Sequence, residues 1–182
     1  MRSLTIRVAG VILIALACGV SPVDAGPPLS ELEVRGIVTS QYRHVRAVDT
    51  RIGGAIADGL RRSATFAQLV LALDRSDVIV YIETARGMSS SLAGRMLIAP
   101  GPAGQRYLRI QIAAASRGNE LIALVGHELQ HALEVADSPG VRDEQSLMAL
   151  YEAIGHGEQG RHRYDTMAAQ NAGRKVRLEL IG

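Results

Sequence analysis

The chain has 182 residues, enough for one domain, and its 20 Lys and Arg against 18 Asp and Glu leave a net charge of +2. So small an excess implies no polyanionic partner, and one Phe, no Trp and five Tyr offer no aromatic-plus-basic surface, which argues against nucleic acid. Cys18 is the single cysteine, which excludes a disulfide scaffold.

Arg2 and Arg7 make a positive leader, Val8 to Val20 is an apolar run broken only by glycines, and Val23-Asp24-Ala25 places small residues where a signal peptidase reads. This predicts a secretory signal peptide over residues 1–25, cleaved between Ala25 and Gly26, and a secreted or periplasmic protein. The run falls short of the roughly 20 apolar residues of a membrane span, and no later stretch approaches that length, so no stable span is expected after cleavage. The alternatives are an anchor that is never cleaved and a lipoprotein acylated at Cys18, where bulky Leu16 fits the recognition sequence poorly. Cleavage leaves residues 26–182 as a single domain without a thiol, so thiolate zinc ligands and cysteine nucleophiles are excluded there.

Gly26-Pro27-Pro28 reads as a linker, and residues 29–46 carry mixed signals. Ile52, Ile56 and Leu60 predict a helix from Asp49 to Leu60. Ser63 can cap a second, with Phe66, Leu69, Val70 and Leu73 as its apolar stripe. The β-branched run Val78 to Ile82 predicts a strand covered on both faces. A loop at Met88–Ser91 follows, then a short strand from Arg95 to Ala99 and a turn over Pro100–Gly104. From Tyr107 to Ala113, Leu108, Ile110 and Ile112 alternate with Tyr107, Arg109 and Gln111, as in the half-buried second arm of a hairpin. Asn119 is the expected N-cap of a helix to about Asp137, stopped by Ser138-Pro139-Gly140. Leu147, Leu150, Tyr151 and Ile154 mark another helix ending at Gly155, and Asp165 or Thr166 caps a last one to about Leu180. Helices, a small antiparallel sheet and further helices make an α+β layout.

The helix from Asn119 contains His127-Glu128-Leu129-Gln130-His131. Two histidines four apart stand one turn above each other on the same face and can share a metal ion without backbone distortion. Zinc lowers the pKa of a bound water towards neutrality, and Glu128, about 100° around from His127, is placed to take its proton. The competing reading is an amphipathic helix with two hydrogen-bonded histidines, but it gives no reason for a glutamate at that one position.

These five residues resemble the active-site helix of the zincin metallopeptidases, and the layout of a sheet just before that helix is similar. The resemblance covers about 30 residues closely and implies a zincin-like fold: a small antiparallel sheet, the metal-binding helix, then two further helices. It implies His127 and His131 as zinc ligands, Glu128 as general base, and a peptide or protein substrate. In zincins the strand before the metal helix, here Tyr107–Ala113, lines the cleft and pairs with an extended peptide.

The third ligand departs from the metzincin pattern, since Glu134 stands where that pattern has glycine and Asp137 where it ends. Glu134, three residues after His131, is the local option and comes first; its other role would be to orient His131. Asp165 and Glu152 follow close together, Asp165 with a competing role as N-cap and Glu152 with one as a solvated face; Glu144 is weaker. Tyr151, His156, His162 and Tyr164 are candidate oxyanion donors, although Tyr151 also fits the core and the two histidines fit an exposed loop. His44 is assigned no role. The expected function is zinc-dependent hydrolysis, foremost of peptides. A non-catalytic extracytoplasmic metal-binding or interaction module on the same scaffold is the alternative, and hydrolysis of a non-peptide amide such as one in the cell wall is a third.

Overall fold

The first described element is one the sequence hardly signals. A computed structural model describes residues 43–88, 93–155 and 165–182. The expected signal peptide and linker, most of the Met88–Ser91 loop, and His156, His162 and Tyr164 lie outside these residues. Val45–Ala47 forms strand β1, too short to display a period. Asp49 then caps helix α1 (Thr50–Arg62) and Ser63 caps α2 (Ala64–Asp74), each side chain accepting a backbone N–H of the first turn. The stripes expected on both helices are buried: Ile52, Ile56 and Leu60 on α1, and Phe66, Leu69, Val70 and Leu73 on α2.

Strands β2 (Val78–Ala85), β3 (Gly94–Ala99) and β4 (Arg106–Ala113) follow. The sheet order is β1-β2-β4-β3, with β1 and β4 parallel to β2 and only β3 antiparallel to β4. The antiparallel sheet is therefore corrected to a mixed one. The β3–β4 hairpin is as expected, but a local pattern cannot show that its second arm slots in beside β2. The reading of β2 as covered on both faces holds at its start, where Ile79 on the outer face is buried, and is corrected from Tyr81 onward. Val78, Val80 and Ile82 turn inward and are fully buried, whereas Tyr81 and Glu83 lie half-buried on the outer face. There Arg109 pairs with Glu83, and Arg46 sits over the Tyr81 ring.

The alternation that buries Leu108, Ile110 and Ile112 also carries Arg106 inside, at 6 % exposure. Its guanidinium binds both oxygens of Asp77 at 2.8 and 2.6 Å. It also donates to the carbonyls of Val135, Ala136 and Ser138. Val135 and Ala136 end helix α3 (Gly118–Ala136), so a buried cation stands at the negative end of the helix dipole.

The N-cap of helix α3 falls two residues before the expected one. Arg117 takes the N-cap position without a side-chain bond, and Gly118 adopts φ +52°. Asn119 instead joins the C-terminal end of the chain, donating to the Leu180 carbonyl and accepting from Arg62. Helices α4 (Glu144–Ile154) and α5 (Met167–Ile181) complete an α+β fold of five helices and four strands among the described residues. Helix α3 packs against α5 foremost, then α2 and α1, and touches β2, β3 and β4. The α3–α5 crossing is close because it uses glycines: a Cβ at Gly126 would lie 2.9 Å from Val176, and one at Gly173 would lie 3.1 Å from His127 Cβ. Among the described residues no helix is long and apolar enough to cross a membrane.

Candidate metal centre

His127 and His131 project from one face of α3 with ring centroids 4.8 Å apart. The carboxylate of Asp165 meets them from the residue before the α5 cap. Its Oδ1 lies 3.6 Å from His127 Nε2 and 3.7 Å from His131 Nε2. Two zinc ligands at tetrahedral positions stand roughly 3.4 Å apart, so this spacing suits a shared ion. Asp165 Oδ1 is buried and has no hydrogen-bond partner among the described residues, while Oδ2 accepts from Gln170 Nε2 at 3.0 Å. A buried, unpartnered carboxylate oxygen is costly unless something positive comes to it, and a cation between the two imidazoles meets that need.

The local reason Asp165 is available lies in the helix cap. Either Asp165 or Thr166 was suited to cap α5, and Thr166 does so, its hydroxyl accepting from Ala169 N–H at 3.1 Å. Asp165 is thereby left to face the histidines.

Glu134, expected first as the third ligand, stands elsewhere. His131 Nδ1 and Glu134 Oε2 are hydrogen-bonded at 2.8 Å, on the ring edge opposite Nε2. The other oxygen, Oε1, accepts from Thr166 Oγ1. Glu134 lies seven residues beyond His127, about 10 Å along the axis, and in this structure its side chain leans back to His131 and Thr166. With Glu134 accepting from Nδ1–H, Nε2 keeps its lone pair for a metal. Glu152 is exposed on α4 and is not a member of the group, which comprises His127, His131 and Asp165.

Glu128 occupies a pocket made by an absent side chain. It is 6 % exposed, and a Cβ built on Gly94 of β3 would come within 2.9 Å of its Cδ. Burial raises the Glu128 pKa to about 7, with the Asp165 charge adding to the rise and His131 opposing it. Burial and the neighbouring His131 lower the pKa of His127. For His131 burial also opposes the charge, but the Glu134 hydrogen bond and the surrounding carboxylates outweigh it and raise the pKa. With the Glu128 carboxyl buried against Gly94, Gly94→Ala is expected to cost about 1–3 kcal/mol of stability through overpacking. Chemical unfolding of Gly94→Ala in the wild-type and Glu128→Ala backgrounds checks this. Most of the cost should vanish when Glu128 is shortened; an equal cost in both would mean that the clash lies elsewhere.

Tyr151 is a core residue. Its hydroxyl donates to the His131 carbonyl at 3.1 Å, and its ring stands edge-on to the His131 ring at 5.2 Å. Burial foremost raises its pKa. The donor that the sequence offered to an oxyanion is thus engaged in holding α3. His44 sits far away beside β1, its backbone N–H bonded to Asp74.

The strand expected to line the cleft is also corrected. β4 is hydrogen-bonded on both sides, to β2 and β3, and has no edge to offer. Among the described residues the sheet edge beside Glu128 belongs to β3. Arg95, Leu97 and Ala99 exchange bonds with β4, as the Ala113 N–H to Ala93 carbonyl bond fixes, so Gly94, Met96 and Ile98 turn their backbone groups to the open side.

No protein-family model, curated protein or solved structure matches the chain.

Proposed function

We propose that the protein is a zinc-dependent hydrolase acting foremost on peptides, with a zincin-like arrangement of its catalytic helix. The observation that carries this reading is the convergence of His127 Nε2, His131 Nε2 and Asp165 Oδ1, unpartnered among the described residues, beside a buried glutamate. Three protein ligands are the count of a catalytic zinc site, whereas a structural site is closed by four; among the described residues the group has three members. A zinc ion held there supplies an activated water and polarises the substrate carbonyl.

The chain's own residues do the rest. Glu128, in its carboxylate form, takes a proton at Oε1 or Oε2 and returns it to the leaving amine. Glu134 keeps the His131 proton on Nδ1 and fixes the ring. Gly94, Met96 and Ile98 offer an extended peptide the backbone partners of strand addition, and the first of them is the residue packed on Glu128. That juxtaposition favours a peptide over a cell-wall amide. The alternative of a non-catalytic metal-binding module leaves the buried Glu128 without a purpose. The leader read in residues 1–25 supports a secreted or periplasmic location.

Metal analysis of the purified chain tests the foundation. About one zinc per chain is expected, and it should be lost in His127→Ala/His131→Ala. No zinc in the wild type, and no rise in unfolding temperature on adding it, would leave two ordinary helix histidines and end the enzyme reading.

A further inference from the structure

The two histidines and Asp165 come from segments far apart in the chain, and something must hold them in register. The ligands on α3 are fixed by the helix itself. Asp165 stands at the mouth of α5, and the residue beside it is tied to α3 by side-chain atoms. Thr166 is 4 % exposed and its hydroxyl works in both directions: a lone pair accepts from Ala169 N–H, and the single proton goes to Glu134 Oε1. Glu134 in turn holds His131 Nδ1 with Oε2. One carboxylate therefore bridges a ligand on α3 and the neighbour of the ligand on α5.

Resting on the metal-binding reading above, we propose that Glu134 and Thr166 form a clamp that positions Asp165 against the histidines before metal arrives. Thr166 is a positioning residue in this account and touches no metal itself. The clamp removes the need for binding to draw the α5 mouth towards α3, so its contribution appears as affinity. Outer-sphere partners of metal ligands typically contribute about 10–100-fold in affinity, and the Thr166 share should fall in that range.

A simple Thr166 deletion also removes a helix cap, so the test must separate the two roles. Zinc affinity is measured by chelator competition for the wild type, Thr166→Val, Glu134→Ala and the double variant, with Thr166→Ser as the conservative control. Thr166→Val is expected to weaken zinc binding by roughly 10-fold or more in the wild-type background and by less than about 3-fold when Glu134 is already alanine. Thr166→Ser should restore wild-type affinity. The cap is lost equally in both backgrounds, so only the clamp produces this non-additivity. Equal penalties in the two backgrounds, or no penalty in either, would overturn the clamp while leaving the zinc site standing. A wild-type chain that takes up no zinc would instead overturn the metal reading, and the clamp's role with it.

Discussion

Glu128→Gln should retain close to wild-type zinc content and lose hydrolytic activity by a factor of about 10²–10⁴, the usual contribution of a general base. The amide has nearly the shape of the carboxylate, so it still fills the space left open by Gly94. It has no basic oxygen to take a proton at neutral pH. The fold should not suffer. A carboxylate buried to 6 % exposure with its pKa pushed up to about 7 is disfavoured when ionised, so a neutral amide relieves a cost above that pH. The sign follows from the raised value: the native chain binds a proton that the unfolded chain has released between pH 4.5 and about 7, and stability from this group falls across that window. Activity runs the other way, since Glu128 acts only when ionised. A positive charge at the two histidines lowers its pKa, so the acidic limb of the activity profile belongs below pH 7. Zinc content, thermal unfolding and hydrolysis of a mixed peptide library, measured on the same preparations, check all three. Full activity in Glu128→Gln would remove the mechanism.

The parts of this site that could be read from the sequence are those written in a single helix. His127, Glu128 and His131 occur at offsets where the helix itself fixes their relation, so the pattern and the geometry coincide. The third ligand candidate depends on which acidic residue the tertiary fold brings back. Sequence distance favours Glu134, but in this structure its carboxylate lies at the Nδ1 edge of His131, away from Nε2. The signal for Asp165 was present in an unresolved choice: two adjacent residues suited one cap, and whichever did not cap was free for other work. The same contrast holds for the fold. Alternation identified β4 and its buried face, and extending that alternation by one step predicts Arg106 on the core side, which is where it lies. What alternation cannot carry is the order β1-β2-β4-β3, because strand neighbours distant in the chain leave no local period. That order decides which strand has a free edge, and so moves the expected peptide partner from β4 to β3.

Asp165→Ala should weaken zinc binding on the order of a hundredfold or more, and Glu152→Ala should leave it unchanged. Structural zinc sites with four ligands bind with about 10–16 kcal/mol, or roughly 3 kcal/mol for each ligand, which converts to about a hundredfold. Asp165 also brings the only carboxylate in the group, so its removal takes away charge as well as a donor atom. Asp165→Asn separates the two effects: its amide oxygen can still coordinate, and intermediate affinity is expected. Glu134→Ala is the informative comparison. If Glu134 acts through His131 and Thr166, its loss belongs in the 10–100-fold range of outer-sphere partners, below that of Asp165. Removal of Glu134 should also free His131 to change tautomer, because the acceptor that holds the proton on Nδ1 has gone. The ranking Asp165 above Glu134 above Glu152 in zinc affinity is the signature of a His-His-Asp site. A ranking led by Glu134, with Asp165 neutral, would mean that the carboxylate now seen between His131 and Thr166 turns inward when metal binds. The site would then be the local one written in α3 alone.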